Sequence, residues 1–166
     1  EAAATRVSWP VHVAGEAAYS REAAGAKRNG VRCLGHLTAP EIAQCLGEAA
    51  IYAMPAKYEP FGLSILEAAL AQCALVVGDI PSLRDVWGDA AMYVTPEDPD
   101  ALAAALQSLI DHPTCREAHA ANARRRALQY TPERMAAAYV QRYRALVSND
   151  EKSPETPPLP YAVHAG

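Results

Sequence analysis

Short apolar and β-branched runs alternate along this chain with longer stretches whose apolar positions recur every three or four residues, the pattern of a parallel α/β sheet flanked by helices. Five strands are predicted, at Val11–Ala14, Val31–Leu34, Ile51–Met54, Leu75–Val77 and Ala91–Val94. Helices are predicted at Glu16–Arg28, Ala39–Glu48, Phe61–Gln72, Asp98–Asp111, Pro113–Gln129 and Thr131–Val147, with a short helical turn after Pro81. Thr38-Ala39-Pro40-Glu41 puts a capping threonine before a first-turn proline and a glutamate at the third helical position, which marks a helix start. Thr131-Pro132-Glu133 has a similar arrangement, and Asn29-Gly30 is expected to end the first helix in a left-handed conformation. Beyond Val147 the pattern stops. Pro154, Pro157, Pro158 and Pro160 defeat both helix and sheet, so one domain over residues 1–147 and an extended, disordered, proline-rich tail over 148–166 are expected.

A chain of 166 residues with 51% hydrophobic residues is long enough for one domain with a real core and too short for two. The net charge of -4 gives no electrostatic support for nucleic acid or an anionic membrane as the main partner. Arg124-Arg125-Arg126, late in a helical stretch, reads as a solvated helix face. Cys33, Cys45, Cys73 and Cys115 form no C-x-x-C pair and the histidines no H-x-x-x-H pattern, so no metal is expected. Buried free thiols at Cys33 and Cys73 suit a reducing compartment and a cytoplasmic location. The longest weakly charged run, Pro60 to Gly78, is interrupted by Gly62, Ser64, Glu67 and Gln72, which argues against a membrane span. The chain opens at Glu1 within a helix-favouring Ala-rich stretch, from which an excerpt of a longer protein is expected.

The chemistry concentrates in Tyr58-Glu59-Pro60-Phe61-Gly62-Leu63-Ser64-Ile65-Leu66-Glu67, just after the strand Ile51–Met54. That is the carboxyl edge at which open α/β sheets bind ligands. Gly62 lets an anion approach the free N–H groups of a first helical turn, and those groups with the helix dipole make a phosphate site. Glu67 is the only charged residue between Glu59 and Asp79, on a helix apolar on nearly every side. Such a helix is expected to be buried, where a lone carboxylate costs several kcal/mol unless it is paired. Two readings stay open on spacing alone: a structural carboxylate bonded within the core, or one that grips the hydroxyls of a sugar or ribose. Glu59 sits two turns away, so the pair can meet opposite ends of a nucleoside diphosphate sugar, although a loop glutamate is more often merely solvated.

Glu59-Pro60-Phe61-Gly62-Leu63 with Glu67 resembles the E-x7-E motif of the family 4 retaining glycosyltransferases of GT-B fold (glycosyl transferases group 1). The surroundings are similar at the family's spacing: Val11-His12-Val13-Ala14-Gly15-Glu16, Val31 to Leu37, Glu41-Ile42-Ala43, Ile51 to Pro55, and Leu75 through Val94. The resemblance implies the C-terminal half of a GT-B fold, a Rossmann-like domain with its first strand missing. It implies Glu59 at the donor sugar near the reacting carbon, as the catalytic residue. Glu67 would hold the ribose hydroxyls, the amides around Phe61, Gly62, Leu63 and Ser64 would hold sugar and diphosphate, and His36-Leu37 would border the base. The implied chemistry is retaining transfer from a nucleotide-sugar donor to a hydroxyl acceptor by front-face attack, with no metal and no cofactor.

The same resemblance implies that a first strand with an Arg/Lys loop precedes Glu1 and that an absent N-terminal domain binds most of the acceptor. It allows peripheral membrane contact by the complete enzyme. Val11–Ala14 and Ile51–Met54 are then expected to flank a gap or to close on each other, leaving the isolated chain marginal or self-associating. Gln72 stands where relatives usually carry glycine, which predicts strain of about 1 kcal/mol in a left-handed conformation. Two other readings are kept. One is a truncated or degenerate homologue that binds nucleotide sugar without catalysis. The other is an unrelated doubly wound domain such as a signalling receiver, which leaves Glu67 unexplained and lacks an acidic cluster at the first strand end.

Overall fold

The computed structural model describes residues 2–15, 27–28 and 30–147. Among the described residues six strands and six α-helices follow in order: β1 (Val11–Ala14), β2 (Lys27–Arg28), β3 (Val31–Gly35), α1 (Ala39–Glu48), β4 (Ile51–Met54), α2 (Leu63–Leu70), β5 (Ala74–Gly78), α3 (Pro81–Trp87), β6 (Met92–Val94), α4 (Pro99–Asp111), α5 (Pro113–Ala127) and α6 (Pro132–Val147). The strands form two three-stranded sheets, ordered β1-β3-β2 and β4-β5-β6. β1 pairs parallel with β3, and β4, β5 and β6 are parallel throughout. Among the described residues β1 and β4 do not pair, so the single sheet of about five strands becomes two separate ladders.

The five sequence-predicted strands form within a residue of their expected bounds. The first predicted helix, Glu16–Arg28, lies mostly outside the described residues, and its end is corrected. Lys27 and Arg28 pair antiparallel with Arg32 and Val31. Gly30, at φ +79°, therefore sits in a hairpin turn rather than at a helix end. Asn-Gly is a strong hairpin signal as well as a helix stop, and the pairing partner decides between them. The proline-rich tail lies outside the described residues.

The core is centred on β5. Leu75 and Val77 project into a cluster with Ile65, Ala68 and Ala69 of α2 and Leu83, Val86 and Trp87 of α3. Ala74 and Val76 project the other way, against Leu109 and Ala105 of α4. A strand buried on both faces reads as a continuous apolar run because helices cover both sides of a parallel sheet. The alternation along β5 sends neighbouring side chains to opposite layers.

Two local arrangements stiffen this half. α2 ends in a Schellman motif, in which the Cys73 amide donates to Ala68 O (3.0 Å) and the Gln72 amide to Ala69 O (3.1 Å). The motif requires a left-handed residue at position 72, and Gln72 adopts φ +67°, the expected strained conformation. At the end of α3, Arg126 Nε donates to Val86 O (2.7 Å) and Tyr130 Oη to the same oxygen (2.8 Å). Arg126 is thus no solvated arginine, in contrast to the expectation for Arg124-Arg125-Arg126. It satisfies carbonyls that a helix end leaves without partners, while Arg124 and Arg125 are exposed.

Candidate functional site

The loop from Pro55 to Gly62 carries the chain from the carboxyl end of β4 to α2, and several contacts hold it. Gly78 lets it pass close by, since a Cβ there would lie 2.2 Å from Ala56 O. Lys57 pairs with Glu97 at 2.8 Å, an exposed contact of small energetic weight. The Ser82 hydroxyl, in the first turn of α3, donates to Glu59 O at 2.7 Å. Phe61 turns inward, edge-to-face on Tyr130 at 5.4 Å. Its side chain is therefore part of the core packing, and only its amide faces the Glu59 carboxylate.

α2 starts later than the sequence pattern predicts, at Leu63 rather than Phe61, because Gly62 holds φ +82° as its N-cap residue. A Cβ at Gly62 would meet Ile65 Cδ1 at 2.5 Å, so both conformation and space call for glycine. Glu59 folds back over this start. Its Oε1 accepts the Gly62 amide at 2.9 Å and, more weakly, the Phe61 amide at 3.4 Å. The Gly62 amide, expected to be open to an anion, is thus occupied by the chain's own carboxylate. The amides of Leu63, Ser64 and Ile65 have no hydrogen-bond partner among the described residues. Three unpartnered N–H groups thus lie at the positive end of a helix dipole, a position that favours negative charge.

The burial expected of Glu67 is corrected: it is exposed. α2 has a buried face of Ile65, Ala68 and Ala69 and an exposed one that includes Leu63, Leu70 and Glu67. Its apolar residues extend around the helix because Leu63 and Leu70 remain in solvent, which sequence periodicity read as all-round burial. Glu67 therefore carries no desolvation penalty that a core partner must offset, and the buried structural carboxylate is removed as an explanation for it.

Tyr52 of β4 reaches the start of α2. Its hydroxyl donates to Ser64 Oγ at 2.9 Å, and Met54 Sδ lies 3.7 Å away. Burial raises the phenol pKa, the bond to Ser64 opposes that shift, and the negative charges of Glu59 and Glu67 reinforce it. Sequence reasoning missed Tyr52, although a tyrosine in the otherwise apolar strand Ile51-Tyr52-Ala53-Met54 must place its hydroxyl somewhere polar.

His36 and Leu37 lie at the carboxyl end of β3, on the other sheet, with His36 exposed and Leu37 half-buried. No hydrogen bond, ion pair or ring contact joins either to the Glu59 loop or α2 among the described residues. Downstream, Thr38 donates its amide and hydroxyl to Glu41 Oε2, each at 2.7 Å. The Thr38 hydroxyl and then its amide hold the Glu41 carboxyl below the usual range. Among the described residues no three His, Cys, Asp or Glu side chains are grouped to hold a metal ion, and no helix is long and apolar enough to cross a membrane.

Parallel ladders flanked by helices, with a helix start and two glutamates at one carboxyl edge, define the class as an α/β domain. The comparisons narrow the class. The profile described as Glycosyl transferases group 1 matches residues 1–112, and the chain belongs to that family. It is 36% identical over 137 residues to "Glycogen synthase" of Mycobacterium tuberculosis (strain H37Rv), across 81% of this chain and 33% of that protein. It is 26% identical over 148 residues to "O-antigen chain mannosyltransferase B" of Escherichia coli, across 86% of this chain and 39% of that protein. The chain thus spans about a third of the length of these curated relatives. Among solved structures, sucrose-phosphate synthase from Thermosynechococcus elongatus superposes with a TM-score of 0.65 at 26% identity, covering 72% of this chain and 31% of that one. HepE of Anabaena, in complex with UDP-glucose, gives 0.69 at 20% identity, covering 88% and 43%. The fold is that of the GT-B glycosyltransferases.

Proposed function

We propose that this domain binds the nucleoside diphosphate sugar donor in a retaining glycosyltransferase of the E-x7-E type and transfers the sugar to a hydroxyl acceptor. The observation that carries the reading is the start of α2, where the unpartnered amides of Leu63, Ser64 and Ile65 lie beside the Glu59 carboxylate. The departing diphosphate gathers negative charge in the transition state, and oriented N–H groups with a helix dipole stabilise that charge without reorganising. Glu59, clamped by Ser82 through its carbonyl, stands where it would stabilise positive charge on the sugar. The exposed Glu67, one turn along α2, is free to accept the ribose hydroxyls. His36 and Leu37 border the base. Neither metal nor cofactor enters this reading. The UDP-glucose complex of HepE, of like fold, supports a nucleotide-sugar donor here.

The acceptor would be held mainly by an N-terminal domain outside residues 1–166, and an Arg/Lys loop before Glu1 would complete the diphosphate site. Residues 1–166 alone would then transfer no sugar and bind nucleotide weakly. A second reading, binding without catalysis, draws on the Glu59 carboxylate already being engaged with two backbone amides. Mutation separates them. In the full-length enzyme Glu59→Ala lowers kcat by roughly 100-fold or more with a smaller effect on nucleotide affinity, read by transfer from labelled donors. Full activity of Glu59→Ala removes Glu59 from the chemistry. Glu67→Gln weakens nucleotide binding by about 1–3 kcal/mol in calorimetry and leaves the melting temperature in place; the opposite pair of results makes Glu67 structural.

A further inference from the structure

A serine hydroxyl has one proton to give, and what it gives it to depends on what its oxygen already accepts. Ser64 Oγ accepts from Tyr52 Oη at 2.9 Å. With the Tyr52 proton on Ser64 Oγ, the Ser64 hydroxyl gives its own proton to Met54 Sδ at 3.8 Å, a weak thioether contact that the Tyr52 hydroxyl also reaches at 3.7 Å. The tyrosine ring comes from β4 in the sheet and is half-buried, packed against the core around Leu75 and Val77. Ser64 is only partly buried, at the second position of α2, and its own amide is unpartnered.

We infer that Tyr52 is a positioning residue for the donor diphosphate: by donating to Ser64 Oγ it turns the Ser64 proton outward, to be given to a phosphate oxygen held at the start of α2. The inference rests on the donor-binding reading above and adds to it a side-chain donor beside the backbone amides. A bond to an ionised oxygen is stronger than one between neutral groups, so the proton leaves the thioether when the anion arrives. Glu59 and Glu67 take no part in this step, and neither accepts a hydrogen bond from Ser64. The pair also discriminates. A ligand without phosphate gains nothing from it, because the Ser64 hydroxyl then keeps the partners it has in the free protein.

The test is calorimetry on the full-length protein with UDP, ADP and GDP and with the matching nucleosides. The tightest diphosphate is taken forward into Tyr52→Phe, Ser64→Ala, Ser64→Thr and the Tyr52→Phe/Ser64→Ala double variant. Tyr52→Phe weakens the diphosphate roughly 3- to 10-fold while affinity for the nucleoside is unchanged. Ser64→Ala loses at least as much, Ser64→Thr restores most of the affinity, and the double variant binds no more weakly than Ser64→Ala, since both changes remove one interaction. Additive losses, or equal weakening of diphosphate and nucleoside, make Tyr52 a packing residue and overturn the inference. Wild-type diphosphate binding that Tyr52→Phe leaves untouched overturns it as well, with the donor site still standing. Failure of the wild-type protein to bind any of the three diphosphates overturns the donor-binding reading and this inference together.

Discussion

The two sheets of this molecule are built to different depths. β5 is buried at every position, with helices on both faces and a core that runs through Ile65, Leu75, Leu83 and Trp87. β1 is half-buried at Val11 and exposed from His12 to Ala14, and its sheet shares a small cluster of Ala4, Val31 and Cys33 with Val11 against it. Both sheets carry sequence-predicted site residues at their carboxyl edges. The Glu59 loop and α2 stand on the deep core, whereas the His36-Leu37 loop stands on the shallow one. Hydrophobic stabilisation follows the area removed from water, so the Glu59 loop and α2 have much the stronger support. Ligand groups that need fixed geometry, the phosphates and the reacting carbon, fall on the rigid half under the proposed function. Under the same reading the base would meet the loop after β3, on the half with the smaller core.

The contrast breaks or holds on three measurements. Trp87→Ala, in the deep core, costs about 3–5 kcal/mol in urea titration. Val31→Ala, in the shallow one, costs only about 1–2 kcal/mol; equal losses would remove the distinction. Next, Gln72→Gly relieves the left-handed strain at the end of α2 and raises stability by about 1 kcal/mol in the same titration. No gain there would mean that the Gln72 side chain offsets its own strain. The mildest probe leaves the equilibrium alone. Burial pushes the Cys73 thiol up to about 11, and it donates to Ala49 O at 3.2 Å. Maleimide labelling followed by mass spectrometry near pH 8 should modify exposed Cys115 first, Cys33 later through opening of the shallow sheet, and Cys73 last. Cys73 labelling ahead of Cys33 would invert the comparison.

Much of the fold was legible because its signals are local. Helix starts at Ala39, Pro99 and Pro113 follow from prolines in the first turn, joined by the Thr38–Glu41 cap and by Asp98, which accepts the Asp100 and Ala101 amides at 2.9 Å each. The strand runs were read within a residue because β-branched stretches bounded by turns have few other uses. The reading failed where a local pattern had two meanings, as at Asn29-Gly30, and where composition stood in for geometry, as on α2.

The sequence by itself determined the order of elements, the spacing of Glu59 and Glu67, the glycine at position 62 and the strain at Gln72, since each depends on residues within a turn or two of one another. Tertiary structure alone decided which donors and acceptors the site has left to offer. Ser82 reaches the Glu59 carbonyl across 23 positions, Tyr52 reaches Ser64 across 12, and Arg126 reaches Val86 across 40. It also decided that Phe61 turns into the core, that Glu67 stays in water and that, among the described residues, β1 pairs with β3 and β4 with β5 rather than with each other. Hydrogen-bond partners and exposure are properties of packed surfaces, and only the packing of the helices against β4 and β5 brings these side chains within 3 Å of each other.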